Sequence, residues 1–301
     1  MTTTWSGIFS AVTTKFDKDG RLDFSAMERH FNFQFESGVH GLIVLGSLGE
    51  NVTLAPIEKQ DVLKLALQVS GGRVPVLSGV AETSTAMACN YIKQAQANGA
   101  NGFMVMPAMV YPADRRETLQ YFRTVAAASD VPIMLYNNPV SYKVDLTPEM
   151  FAELADEPKF VALKESSDNV RRITDIINAV GDRYQIFTGV DDLAMESVML
   201  GAVGWVAGLV CAFPKETVVL YKLVKAGRMD EALQLYRWFM PLLHLDVSTK
   251  FVQNIKLAET MAGVGTEHVR PPRLPLTGEE RKRVESIVKK ALEARPDLPK
   301  I

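Results

Sequence analysis

The chain has 301 residues, 47% of them hydrophobic and 23% charged, with a net charge of −2. That is ample apolar material for a large core, and Lys and Arg are spread too evenly to create a field for nucleic acid or an anionic membrane. Two cysteines, Cys89 and Cys211, are too few for a disulfide framework and lack metal-site spacing, which points to reduced thiols in a cytoplasm.

Short apolar runs alternate with helical segments along the chain. The opening, MTTTWSGIFSAVTTKF, shows no basic segment before a long apolar run, so no signal peptide is expected. GIFSAV (7–12) and GLIVLG (41–46) read as strands, followed by the helical PIEKQDVLKLALQVS (56–70). PVLSGV (75–80), GFMVMP (102–107) and PIMLYN (132–137) come next, with the helical ETLQYFRTVAAAS (117–129) before the last. Thr147 then offers an N-cap with Pro148 at the first helical position. FVALKES (160–166) leads into VRRITDIINAVGD, which closes on Gly181, where a left-handed residue is cheap for glycine. YQIFTG (184–189) and GWVAGL (204–209) complete eight runs bracketed by Gly or Pro. No run approaches the roughly 18 unbroken apolar residues of a membrane span.

Three joints share one form, Gly-x-x-Gly followed by apolar residues: SGVHGLIV, NGANGFMV and LGAVGWVA. Eight strand–helix units predict a closed parallel (β/α)₈ TIM barrel. An open doubly wound sheet is disfavoured because no G-x-G-x-x-G follows the first strand. Beyond residue 214 the segments 215–245, 247–263 and 278–294 read as helices. The expected organisation is a barrel over 1–230 and a helical extension over 231–301, packed on the barrel or on a neighbouring subunit.

Barrel sites form at the C-terminal ends of strands. In FVALKES, alternation puts Phe160, Ala162, Lys164 and Ser166 on one face and Val161 and Leu163 on the other, aiming Lys164 into the barrel mouth. Desolvation lowers a lysine pKa from about 10.4 toward neutrality, and a neutral amine can attack a ketone to form a Schiff base. Position alone divides evenly between that role and a buried ion pair with Glu165 or another acid. Tyr136 ends the preceding strand and could relay a proton, or simply cap the core. GSLGE (46–50) places Gly46, Ser47, Leu48 and Gly49 opposite, where N–H groups and a hydroxyl could hold a carboxylate. As an ordinary turn it would mean nothing.

Other candidates carry less. Asp191 and Asp192 suit an N-cap with a first-turn acid better than a metal pair. The four histidines lack paired ligand spacing, and no G-x-S-x-G is present. Lys15 is a rival nucleophile, but lies in a polar loop where it is expected to stay solvated. Met104, Met106 and Met109 read as packing.

Together, GSLGE, YNNP (136–139) and ALKES (162–166), in this order, resemble the dihydrodipicolinate synthase/N-acetylneuraminate lyase family. AVTTKFDKDGRLD resembles that family's start, with Thr14-Lys15 where a Pro-Phe pair is usual. The resemblance implies that Lys164 is the Schiff-base nucleophile and Tyr136 the proton-relay phenol. It further implies that Ser47, through hydroxyl and backbone, and Leu48, through its N–H, hold a 2-oxo acid carboxylate. Val206 would contact substrate through its backbone, and Gly189 would line the pocket floor. The iminium is its own electron sink, so no metal or organic cofactor is expected. A homotetramer is the expected assembly.

Two positions depart from the synthases. Where these place tyrosines after strand 4, one of them serving a neighbouring active site, this chain has Ala108 and Met109, and Tyr111 substitutes only if the loop shifts. Where these place an arginine after Y-N-x-P, it has Ser141, followed by Tyr142. The pattern looks most like the branch that deaminates 1-pyrroline-4-hydroxy-2-carboxylate to 2-oxoglutarate semialdehyde in hydroxyproline catabolism. The alternatives are a pyruvate-yielding aldolase on a 2-keto-3-deoxy sugar acid or 4-hydroxy-2-oxoglutarate, the synthase itself, and a protein that binds a 2-oxo acid without turnover.

Overall fold

The computed structural model describes residues 5–108 and 111–301. Eight parallel strands close into a barrel in sequence order: β1 (Gly7–Ala11), β2 (Gly41–Val44), β3 (Val76–Val80), β4 (Gly102–Val105), β5 (Ile133–Asn137), β6 (Phe160–Glu165), β7 (Gln185–Thr188) and β8 (Gly204–Ala207). The helices between them are α1 (Phe24–Glu36), α2 (Pro56–Ser70), α3 (Thr85–Ala97), α4 (Arg115–Ala127), α5 (Pro139–Tyr142), α6 (Pro148–Glu153), α7 (Arg171–Val180) and α8 (Ala194–Met199). After β8 come α9 (Pro214–Lys225), α10 (Met229–Leu243), α11 (Phe251–Met261) and α12 (Gly278–Glu293). Among the described residues, no helix is long and apolar enough to cross a membrane.

The strands are apolar on both faces because both faces are covered. The barrel interior is filled by Phe9, Ile43, Leu77, Met104, Met134, Ala162, Phe187 and Val206, one from each strand. Their neighbours, such as Ile8, Leu42, Val105 and Leu163, pack outward with the helices. The Gly-x-x-Gly joints have a double cause. Gly38, Gly99 and Gly201 have φ of +86°, +96° and +118°, where other residues are strained. The second glycine of each pair meets an aromatic ring: a Cβ would stand 2.7 Å from Phe9 at Gly41, 2.6 Å from Trp5 at Gly102 and 2.2 Å from Phe187 at Gly204.

Three expectations need correction. In β6, Ile133 pairs with Phe160 but Met134 pairs with Ala162, so Val161 is an extra residue. This bulge reverses the start of the strand: Phe160 joins the outer core and Val161 packs against the inner one. Alternation resumes at Ala162, so Lys164 still faces inward. The helical segment 215–245 is broken at Gly227, with φ +71°, into α9 and α10.

Lys15 is the third. It is fully buried, with its ammonium 2.5 Å from Glu259 on α11 and 2.6 Å from Thr13 Oγ1. A second buried pair, Lys256–Glu50 at 2.5 Å, joins α11 to the acid of GSLGE. Breaking either pair from one side would strand a buried charge, at about 3–5 kcal/mol.

His30 lies beside the first pair, where its Nε2–H donates to the Cys211 carbonyl oxygen at 2.9 Å. His30, Cys211 and Glu259 converge as metal ligands might, but the Lys15 ammonium already occupies the carboxylate. Burial, reinforced by Lys15 and opposed by Glu259, pushes His30 down to about 4. Between pH 6.5 and about 4 the unfolded chain therefore binds a proton that the folded chain refuses. Stability is full above this window and falls as pH drops through it, by up to about 3 kcal/mol. Urea midpoints at pH 7 and pH 4.5 should fall further for the wild type than for His30→Gln; equal losses would refute this linkage.

Candidate active site

Lys164 stands at the end of β6, directly paired with Tyr136 on β5. Its Nζ lies 4.3 Å from the centroid of the Tyr136 ring. Among the described residues no carboxylate forms an ion pair with it. Glu165 points outward, accepting from Asn137 Nδ2 at 3.0 Å and from the Ser167 N–H at 2.7 Å. The ion-pair alternative to a nucleophile is thereby removed. Burial lowers the Lys164 pKa, with Tyr142, Asp246 and Asp191 opposing.

The side chain is seated by what lies beneath it. A Cβ at Gly189 would stand 2.2 Å from Lys164 Cε and from Ser166 Oγ, so any larger residue there would displace the lysine from its seat. The Ser166 hydroxyl is buried without a hydrogen-bond partner among the described residues. Tyr136 is buried as well, and its phenol accepts from Asn138 Nδ2 at 3.1 Å. Burial raises its pKa, and the Asn138 bond opposes the shift, so the phenol starts protonated at neutral pH.

The loop after β2 is bent into an open cradle. Leu45 and Glu50 have φ of +62° and +54°, a strained pair bracketing the turn. Gly79 admits the loop, since a Cβ there would stand 2.2 Å from Leu45 O. Asn51 Nδ2 holds that same oxygen at 2.9 Å, and Thr14 Oγ1 donates to Gly49 O at 2.6 Å. The backbone N–H groups of Ser47 and Leu48 have no partner among the described residues. A Cβ at Gly46 would stand 3.5 Å from the end of the Met104 side chain, an ordinary contact. Glu50 turns away, to Lys256 and the Arg270 N–H.

Tyr142 is the residue whose place sequence reasoning missed. Its hydroxyl makes a short hydrogen bond with Ser47 Oγ, and its ring meets Tyr136 edge-on at 5.6 Å between centroids. Asn138 arranges this: its Oδ1 accepts from the Ser141 N–H to start α5, while its Nδ2 holds the Tyr136 phenol. The only local signal was Asn138-Pro139, a helix start whose single turn ends on Tyr142.

These groups line one cavity of about 620 Å³, together with Val206 from β8. That size suits a small organic ligand. The rest of the wall includes residues from beyond the barrel: Asp246, Val247, Ser248, Thr249, Phe251 and Arg273. Tyr111 is exposed, with its hydroxyl donating to Glu117 at 3.1 Å, and does not line the cavity. Ala108 packs against the outer core, and Met109 lies outside the described residues. Asp191 is neither a metal ligand in a pair nor the N-cap of its own helix. It is buried and reaches across β8, accepting from Trp205 Nε1 and Leu209 N–H, both at 2.8 Å. Burial raises its pKa to about 6. Asp192 instead meets His244 Nδ1 at 2.7 Å.

A desolvated lysine beside a protonated phenol, facing free N–H groups, can bind a carboxylate and condense with the carbonyl next to it. Comparison with known proteins agrees with that chemistry. The model of the dihydrodipicolinate synthetase family matches residues 4–291. A 4-hydroxy-tetrahydrodipicolinate synthase of Kosmotoga olearia is 30% identical, covering 95% of this chain and 97% of its own. One of Methanothrix thermoacetophila is 28% identical, covering 97% and 99%. The structure of the Methylacidiphilum fumariolicum synthase superposes with a TM-score of 0.92 at 26% identity, covering 96% of this chain and 97% of that one. The chain belongs to the dihydrodipicolinate synthetase family and is an enzyme of its Schiff-base lyase class.

Proposed function

We propose that the enzyme deaminates 1-pyrroline-4-hydroxy-2-carboxylate to 2-oxoglutarate semialdehyde. The substrate carboxylate would sit on the Ser47 and Leu48 N–H groups, with C2 against Lys164 and the Val206 backbone alongside. Neutral Lys164 adds to the C2=N bond, and transimination opens the ring, leaving an iminium on the lysine and a primary amine on C5. The iminium makes the C3 proton acidic. Tyr136, next to Tyr142 and Ser47, would carry protons to and from the adduct. The enamine expels the C4 hydroxyl as water, leaving a C3=C4 double bond; loss of a C5 proton and protonation at C3 and C4 turn this into an imine at C5. Hydrolysis of the C5 imine releases ammonia and forms the aldehyde, and hydrolysis of the iminium frees Lys164 and the 2-oxo group. In total one water is consumed and one ammonia released.

The observation that carries this reading is the turn after β5. Ser141 stands where the synthases place an arginine, and Tyr142, which follows it, fills the space beside Ser47 with a hydroxyl from the same chain. A second reading, a pyruvate-yielding aldolase acting on a dicarboxylate, is favoured by Arg273, which lines the cavity rim and is loosely held by Glu50 at 3.8 Å. We also propose a cytoplasmic homotetramer in which residues 231–301 form an extension on the barrel 1–230.

A substrate panel tests the function. The hydroxypyrroline carboxylate should release ammonia and 2-oxoglutarate semialdehyde in equal amounts. Pyruvate released from 4-hydroxy-2-oxoglutarate, with no ammonia from the first substrate, would replace this reading by the aldolase. Condensation of pyruvate with aspartate semialdehyde as the sole activity would replace it by the synthase.

A further inference from the structure

Asp246 follows α10, in the segment 244–250 that crosses toward the barrel mouth. It lines the same cavity as Lys164, Tyr136 and Ser47, although it lies more than eighty residues from the nearest of them in sequence. Its approach depends on a glycine at the end of β8. A Cβ at Gly208 would stand 2.3 Å from Asp246 Oδ1 and 2.9 Å from its Cγ. The backbone is fixed by the Asp246 N–H donating to Leu243 O at 3.0 Å.

Three neighbouring carboxyl groups are engaged, while Asp168, which also lines the cavity, has its own backbone at φ +59° in the turn after β6. Asp191 accepts from Trp205 and Leu209, Asp192 meets His244, and Glu165 is held by Asn137 and Ser167. The Asp246 carboxyl has no hydrogen-bond donor among the described residues. It nevertheless feels Lys164 directly, and its charge also reaches Tyr136. Burial, then the charge of Asp191, raises this carboxyl well above the usual carboxylate range, with Lys164 opposing. A spare carboxyl that tends to keep its proton thus borders the same cavity as Lys164, on a segment separate from the carboxylate cradle. A bound 2-oxo or imino acid held by its carboxylate on the cradle and by C2 on Lys164 extends its distal carbons into the remainder of that cavity.

Resting on the deaminase reading, we propose that Asp246 is the general acid that protonates the hydroxyl leaving from C4. In this step the enamine nitrogen pair returns to the iminium, the C2–C3 pair becomes the C3=C4 double bond, and the C4–O pair goes to oxygen. The Asp246 proton joins that oxygen, and water departs. The carboxylate left behind regains a proton from solvent at the open mouth.

The test compares wild type with Asp246→Asn, which keeps the shape but cannot supply the proton. With pyruvate, both should trap an adduct on borohydride reduction and exchange C3 protons in heavy water at rates within a few-fold of each other. With the hydroxypyrroline carboxylate, the variant should lose about 10²-fold or more in kcat, as expected for removing a general acid. It should also accumulate a reducible adduct that keeps both the hydroxyl and the amine. Turnover by Asp246→Asn within about threefold of wild type would overturn the assignment. So would equal losses in pyruvate exchange and in turnover, which mark a structural role. Wild type that exchanges pyruvate protons but leaves the hydroxypyrroline carboxylate untouched would sink the deaminase reading itself, and the acid step with it.

Discussion

Lys164→Ala should lose all turnover, by roughly four orders of magnitude or more in kcat, as when a covalent nucleophile is removed. Pyruvate followed by borohydride should then leave the variant's mass unchanged, while the wild type gains a reduced adduct on the peptide containing residue 164. The fold should survive, because the lysine contributes little that is lost. It has no ion-pair partner among the described residues, its ammonium is disfavoured by burial, and its stem rests on Gly189. Removing a desolvated amine whose charge is only partly offset by Tyr142, Asp246 and Asp191 costs mainly packing, and the thermal midpoint should change little. An adduct persisting in Lys164→Ala would move the nucleophile elsewhere. The other buried lysines near the mouth are poor substitutes, since Lys15 and Lys256 are each locked to a carboxylate at 2.5 Å.

Tyr136→Phe and Tyr142→Phe should separate proton transfer from binding. Tyr136 faces the Lys164 amine, and loss of its phenol should lower kcat by roughly 10²–10⁴-fold with a small change in KM. Pyruvate would still condense, but more slowly, and C3 exchange in heavy water should fall in step with kcat. Tyr142→Phe removes a hydroxyl one bond further out, leaving Ser47 Oγ without its partner. Its loss in kcat should be smaller than that of Tyr136→Phe, and the double variant should fall short of the product of the two, because both act on one chain of protons. Multiplicative losses would mean that the two phenols work independently. A KM effect with unchanged kcat for Tyr142→Phe would make that residue a substrate contact instead.

Much of this site was legible because it depends on local anomalies. A lysine inside FVALKES is conspicuous against its apolar neighbours, and alternation from Ala162 onward is enough to aim it inward. Tyr136 follows from the same logic, because consecutive βα units place their strand ends side by side. The paired glycines of the three joints were visible as a repeat, but their reason was not. The first of each serves a backbone angle that sequence can suggest, whereas the second serves an aromatic ring from elsewhere in the chain.

What failed did so for non-local reasons. The bulge at Val161 is a decision about register between β5 and β6, and no property of FVALKES alone contains it. Lys15 looked solvated because its partner, Glu259, lies 244 residues away, so the compensation of its charge could not be read nearby. Asp191 looked like a local cap, yet it bonds across β8 to Trp205 and Leu209. Tyr142 and Asp246 fall under the same heading: a single helical turn and a close approach to Gly208 bring them to the cavity.

The amino-acid sequence by itself determined the barrel, the order of its strands and the lysine at its mouth, because strand periodicity and a misplaced charge are properties of neighbouring residues. Only the tertiary structure decided which charges are paired, which hydroxyls touch and what closes the far side of the cavity. Those depend on desolvation and on contacts a few ångströms long between residues that are far apart in the chain.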